Sequence, residues 1–307
     1  MSPETETLHH LTAHGYDLTL DALNGASLTA LRWLKPGGTW FEILHPCPPA
    51  ITARTGGCFV MAPFANRLDG GRFPGARGPI QLPVNRPEED LAIHGFSRDR
   101  AWRVVDASGD RLTLVDKFAE PGNPFAYTLM LEISLSSSGV ELLLRLTNSA
   151  TESLPYGLGF HPWFRKTANT RLTFQATTGF GRDPRGFATA PVPAEQRPTF
   201  SSGVDVSAIP WFDGHYAGWT SRTAAIDWLS DWVSMTMQAR GALTNLQVYV
   251  PDNLPVLCVE PVSHVPDVHN RRDLAGYGDV ARLAPGETIE GTMILCCSGT
   301  SQPDADQ

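Results

Sequence analysis

Short β-type runs separated by turn clusters, with no sustained helical period, set the first limit on what this chain can fold into. Its 307 residues include 28 glycines and 25 prolines. These punctuate runs at 16–20, 27–34, 102–105, 111–115, 127–135 and 140–147, and again at 172–176, 233–237, 246–250, 256–259 and 288–297. Within 140–147 the order V-E-L-L-L-R-L-T sets Glu141 and Arg145 on one face and Val140, Leu142, Leu144 and Leu146 on the other, the period of a half-buried strand. Hairpin-like turns such as Ser108-Gly109-Asp110 and Ser137-Ser138-Gly139 fall between runs. The pattern predicts an all-β chain, a large and mostly antiparallel β-sandwich, in preference to a parallel α/β sheet. One continuous domain over 1–307 is expected, with 1–14 and 299–307 as loose tails. A chain of this length can bury a substantial core as one unit. Two stretches break the rhythm. Residues 63–99 are rich in Gly, Pro and Arg and too long for an ordinary connection, so they read as a functional loop; residues 179–211 read as a surface excursion.

Composition removes several classes of function. Lys plus Arg number 24 against 32 Asp plus Glu, a formal charge of -8, which argues against nucleic acid or an anionic membrane as the main partner. No apolar stretch approaches the ~18 residues of a membrane span. Residues 2–10 are polar and acidic rather than basic and then apolar, so no secretory signal is read and a cytoplasmic location is expected. Cys47, Cys58, Cys258, Cys296 and Cys297 show no C-x-x-C spacing and imply neither a disulfide framework nor a zinc site. Cys258, inside an apolar run, reads as a small core hydrophobe. No cofactor and no metal is expected. The stretch Gly276-Tyr277-Gly278-Asp279-Val280-Ala281 has the spacing of a dinucleotide turn, but no apolar strand precedes it and Pro285-Gly286 ends any helix after it. His264 and His269 lie five apart in a proline-broken segment, which is not ligand spacing on a helix.

Glu260 carries the first chemical signal. It closes the apolar run Pro255-Val256-Leu257-Cys258-Val259 and is followed by Pro261. A carboxylate at the end of such a strand is hard to ionise unless paired, and desolvation there raises its pKa and strengthens it as a base. A satisfied structural carboxylate fits the same residues. About a hundred residues upstream, Gly157-Leu158-Gly159-Phe160-His161-Pro162-Trp163-Phe164 places a histidine in a similar setting. Upstream again are Asn66-Arg67 before the glycine-rich Asp69-Gly70-Gly71-Arg72-Phe73, then Ile93-His94-Gly95-Phe96 and Trp102; Trp211-Phe212-Asp213-Gly214 lies between His161 and Glu260.

In this order and spacing the chain resembles the aldose 1-epimerase (galactose mutarotase) family, from about Leu18 to Cys297, with Asp267-Val268-His269-Asn270 and Leu283-Ala284-Pro285-Gly286-Glu287 included. The resemblance implies a mutarotase-like supersandwich that interconverts the anomers of a free monosaccharide without a cofactor, as a monomer or a homodimer. It implies Glu260 as general base and His161 as general acid, Arg67 and His94 on sugar hydroxyls or the ring oxygen, Asp213 as a hydroxyl acceptor, and Asn66 in the binding set.

Each residue also has a structural reading. His94 beside a glycine suits a buried turn, Arg67 could bridge Asp69 or Asp90, and Asp213 before Gly214 is a natural turn former. Trp163, Phe164 and Trp211 fit a core as well as a sugar platform. The loop also carries Arg67, Arg72, Arg77, Arg86, Arg98 and Arg100, more than a neutral sugar needs. His94-Gly95-Phe96-Ser97-Arg98 further resembles the hexose-6-phosphate epimerase branch of the same fold, so Arg72, Arg98 and Arg100 are candidates for binding a phosphate or sulfonate. A solvated loop balancing Glu88, Glu89, Asp90 and Asp99 is the alternative. A glycoside hydrolase built on Asp213 and Glu260 and a non-catalytic carbohydrate-binding module are the rivals from other classes.

Overall fold

The computed structural model describes residues 8–47 and 55–300. Among them lie one sheet of eleven strands and one of nine, with every paired strand antiparallel. Alternation of apolar and polar residues builds the second sheet. Along Gly139–Asn148, Val140, Leu142, Leu144 and Leu146 are buried, while Arg145 on the other face reaches Glu290 and Glu132 on the flanking strands. One apolar core takes Leu18, Leu31, Val248 and Leu257 from the first sheet and Leu129, Leu144, Ile226 and Met235 from the second. This is the expected β-sandwich.

Residues 8–14 and 299 are more ordered than the sequence suggests, and the expected tails at 1–7 and 301–307 lie outside the described residues. Leu8–Ala13 pairs along its whole length with Tyr16–Asp21, and Thr288–Gly299 carries its last residue opposite Val233. The loose-tail reading of 8–14 and 299 is therefore corrected. The physical reason is local: His14 and Gly15 both take positive φ (51° and 78°), the two-residue hairpin turn that matches strand twist, and Leu11 is buried.

Five adjacent strands of the first sheet carry most of its buried polar side chains: Cys58–Met61, Gly159–Arg165, Val256–Val262, Asn245–Val250 and Phe212–Ala217. Nearly every residue on them is buried on both faces. Phe160, Phe164, Leu257 and Val248 enter the main core, while Phe59, Trp163 and Cys258 form a smaller cluster. The strand that holds Glu260 does not stop there, as its sequence suggests, but continues through Pro261 to Val262. Gly159 pairs with Val262 and Trp163 with Cys258, yet no ladder pair joins the residues between them. Pro162 and Pro261 both fall in that gap, and neither has an N–H to give. The interruption sits where His161 and Glu260 meet.

The segment 63–99 is not an open loop. It folds as two small hairpin-like pairs, Arg67–Asp69 with Leu91–Ile93 and Arg72–Gly75 with Gly78–Gln81. It returns to the sheet at Gly95, which bridges Ala62. Gly95 has φ 69°, and a Cβ there would lie 2.0 Å from the Ala62 carbonyl oxygen. Gly95→Ala should therefore cost about 3 kcal/mol, backbone strain and clash together, read as a Tm lowered by several degrees in a thermal melt. An unchanged Tm would contradict the close approach.

Candidate active site

Strand register assembles the site. Phe59 pairs with His161, the flanking pairs bracket His161 against Glu260, Glu260 pairs with Gln247, and Gln247 with His215. One row thus crosses five strands, and alternation turns its side chains to the face away from the main core. A cavity of about 340 Å³ opens there, of the size that takes a monosaccharide. His161, Glu260, His94, Arg67, Asn66 and Asp213 all line it, brought together from separate stretches of sequence.

At its floor a ring nitrogen of His161 (Nε2) lies 3.4 Å from Oε1 of Glu260. Both side chains are buried, Glu260 only 1% exposed. The imidazole is stacked between Phe59 (4.6 Å between centroids) and Trp163 (5.1 Å) and meets His94 edge-on at 5.2 Å, so its plane is fixed. Burial pushes the His161 pKa down to about 3, helped by the Arg98 charge. Burial also pushes Glu260 well above the usual carboxylate range, with Asp213 adding to the rise and Arg67 opposing it. Each partner is thereby driven toward its neutral form. Among the described residues, six buried side-chain polar atoms have no hydrogen-bond partner, and four of them belong to cavity residues: Glu260 Oε2, His161 Nδ1, Arg67 Nε and Trp163 Nε1. Such atoms are costly unless a polar ligand meets them.

Above the pair, Asn66 and His94 hold each other. Both are left-handed (φ 60° and 63°); the His94 N–H donates to the Asn66 carbonyl at 3.0 Å, and the Asn66 N–H donates to His94 Nδ1 at 3.2 Å. His94 is held neutral by burial and by the nearby His161, Arg98 and Arg67. Its proton is therefore on Nε2, a donor for a sugar oxygen. Asn66 Oδ1 in turn accepts from the Arg67 backbone N–H at 2.9 Å. Arg67 does not bridge Asp69 or Asp90; its guanidinium lies 3.8 Å from Asp213, and Asp69 pairs with Arg185. Asp213 is no simple turn residue, since it accepts from Arg182 at 2.8 Å and from Gln247 at 2.5 Å.

The candidate anion-binding arginines separate. Arg98 lines the cavity, over the Phe59 ring. Arg100 does not; it is committed to Asp116 and Glu120. Arg72 is exposed and folds back over Gly70. Those two assignments are corrected, because their guanidinium groups are drawn to other partners or to solvent. Arg86 and the rim residue Trp211, weighed above as a loop arginine and as core or sugar platform, also line the cavity, as do Arg182, Gln247 and Tyr249, which sequence reasoning left out of the site. Arg182 and Trp211 come from 179–211, which is therefore more than a surface excursion. Trp163 faces the cavity, and Phe164 is core. The Asp267-Val268-His269-Asn270 segment supports the loops: Asp267 accepts from the Asp69 N–H, Asn270 donates to the Arg72 carbonyl, and Arg271 to that of Ala188.

No metal was expected, yet the fold gathers one donor set. Ligand atoms of His161, Cys258 and Glu260 lie within 4.8 Å of one another. The set mixes a soft sulfur with a hard carboxylate oxygen, and two of its three members, His161 and Glu260, also line the cavity. Among the described residues, no helix is long and apolar enough to cross a membrane.

A sequence profile of the aldose 1-epimerase family matches residues 15–296. The uncharacterized protein YphB of Escherichia coli K12 is 28% identical over 270 residues, 84% of this chain and 90% of its own. A crystal structure provisionally described as an aldose 1-epimerase from Escherichia coli K12 superposes with a TM-score of 0.84 at 26% identity, over 95% of this chain and 99% of that one. A galactose mutarotase-like protein from Clostridium acetobutylicum gives 0.84 at 18% identity over 95% of each chain. The fold is thus the mutarotase-like sandwich, and the chain belongs to the aldose 1-epimerase family.

A carboxyl whose pKa is raised by folding stabilises least when ionised, so the stability it allows is present below the unfolded value and is lost as pH rises through the folded one. Glu260→Gln removes that loss. The variant should melt higher than the parent, by a margin that grows from pH 5 to pH 8 in calorimetry. A margin that shrinks with pH would show that Glu260 is ionised without penalty.

Proposed function

We propose that this protein catalyses mutarotation, interconverting the α and β anomers of a free aldose by opening and reclosing the hemiacetal ring. The observation that carries this reading is the buried His161–Glu260 contact at the floor of a monosaccharide-sized cavity. Glu260 removes the proton from the anomeric hydroxyl as the C1–O5 bond breaks, and His161 delivers a proton to O5. Rotation about C1–C2 presents the other carbonyl face, and the reverse transfers close the ring with C1 inverted. The pair holds one proton throughout. It sits on the imidazole with the carboxylate ionised before opening, and on the carboxyl with the imidazole neutral afterwards. Burial, which pushes Glu260 up and His161 down, favours the second distribution, the one from which the ring recloses; the charged arrangement that starts opening forms against that penalty. In this reading His94 and Arg67, which line the cavity, hold sugar oxygens.

This division of labour gives definite kinetics. Glu260→Gln and His161→Asn should each lower kcat by ~10²–10⁴-fold in polarimetry, with the circular dichroism spectrum unchanged. Near-parental activity in either variant would remove the role assigned to it. Activity requires one proton on the pair, so kcat/KM should rise with pH as the doubly protonated pair loses a proton. It should fall again as the last proton leaves, with both limbs belonging to the pair rather than to one residue.

A second reading has its own observation. Arg67, Arg86, Arg98 and Arg182 line the cavity against only two carboxylates, Asp213 and Glu260, and Arg67 and Arg182 share Asp213 between them. Arg86 also pairs with Glu88 and Arg98 with Asp99, but at the cavity lining guanidinium groups outnumber carboxylates, which in a chain of net charge -8 favours a hexose bearing a 6-phosphate or 6-sulfonate. Anionic hexoses should then be anomerised faster than glucose or galactose in the same assay, and equal or slower rates would dismiss them. A glycoside hydrolase is disfavoured, because Asp213 is held by Arg182 and Gln247 and is not available as a second acid or nucleophile. A binding module without catalysis leaves the neutralised acid–base pair unexplained.

A further inference from the structure

Behind Asp213 runs a line of buried polar side chains that the reaction does not touch. Asn245, His215, Gln247 and Asp213 are at most 7% exposed. Asn245 Nδ2 lies 3.0 Å from His215 Nε2, His215 Nδ1 lies 3.1 Å from Gln247 Oε1, and Gln247 Nε2 donates to Asp213 Oδ1 at 2.5 Å. Of these four, Asn245 and His215 lie off the cavity wall.

The direction of every bond follows from one fixed acceptor. The Tyr277 carbonyl can only accept, and Asn245 Nδ2 donates to it at 3.0 Å, while Asn245 Oδ1 accepts from the Thr244 hydroxyl at 3.0 Å. The amide cannot flip without losing the Tyr277 bond and setting its oxygen against that carbonyl. Its second N–H therefore points at His215 Nε2, which must offer a lone pair. Burial keeps His215 neutral, with a pKa of about 3, so its proton is on Nδ1 and is donated to Gln247 Oε1. That fixes the Gln247 amide with its nitrogen toward Asp213. Asp213 then receives Gln247 on one oxygen and Arg182 on the other.

We infer that Asn245 and His215 are positioning residues, which set the tautomer and amide orientation that make Gln247 a donor to Asp213 and so hold the carboxylate that anchors Arg67 and Arg182 at the cavity wall. Reversing the imidazole tautomer would turn Gln247 Oε1 toward Asp213 and set oxygen against oxygen. The kinetic consequence rests on the mutarotase reading, whereas the tautomer does not.

Nitrogen-15 NMR of histidine-labelled protein tests the tautomer directly. His215 should be neutral and protonated on Nδ1 from pH 5 to pH 8; an Nε2–H tautomer or an imidazolium overturns the inference. For the kinetic arm, His215→Leu should lower kcat/KM for the best aldose about 100-fold, the scale of a displaced binding group. His215→Gln can accept from Asn245 with Oε1 and donate to Gln247 with Nε2, and should restore most of that loss. A folded His215→Leu protein with parental kcat/KM, or a folded His215→Gln protein as impaired as the leucine variant, overturns it. If the leucine variant does not fold, the tautomer and the glutamine variant still decide. If the parent protein anomerises no aldose, the mutarotase reading fails and the tautomer alone is judged.

Discussion

Everything at the site depends on placing a carboxyl and an imidazole in contact where little of either meets water. Glu260 is 1% exposed and His161 6%, so neither can be charged at the usual cost in solvation. The penalty falls on the charged form of each, which moves Glu260 up and His161 down and favours the arrangement with the proton on the carboxyl and the imidazole neutral. The sheet makes this geometry possible. Two prolines, Pro162 and Pro261, interrupt the ladder between adjacent strands at this point, and aromatic rings on both sides hold the imidazole in plane.

The rest of the site is built outward from that row. Gln247 and His215 extend it across the sheet, and Asp213 joins it to Arg182 and Arg67. The segment 63–99 closes the opposite side, with Asn66 and His94 locked by reciprocal hydrogen bonds in backbone conformations that few residues adopt. Strain of this kind persists only where the surroundings over-determine it. Here the surroundings are the Gly95–Ala62 contact on one side and the clamp of Asp267 and Asn270 on the other.

The strands that alternate were legible in the sequence; several that build the site were not. The run 140–147 is read correctly because one face meets the core and the other meets solvent, as Arg145 and Leu144 show. Cys58–Met61, Gly159–Arg165 and Phe212–Ala217 are buried on both faces, and Gly or Pro interrupts the last two, so no period marks them. His161, Glu260, His94, Arg67, Asn66 and Asp213 could be named because family resemblance supplied their order. Arg182 and Gln247 could not, since an arginine in an irregular stretch and a glutamine in an apolar strand carry no local signal. Only strand register brings Gln247 beside Glu260. The same limit explains Arg100, which reads as a site cation until Asp116 is seen to hold it.

Central to the proposed chemistry is that the His161–Glu260 pair opens and recloses a sugar ring without breaking a carbon–hydrogen bond. Magnetisation-transfer NMR on the anomeric protons, run in D₂O with neutral and 6-anionic aldoses, addresses it most directly. Exchange between the α and β signals should accelerate in proportion to enzyme concentration for at least one aldose, with no deuterium entering C1 or C2. Exchange no faster than the spontaneous rate for every aldose, or deuterium at C2, would contradict it.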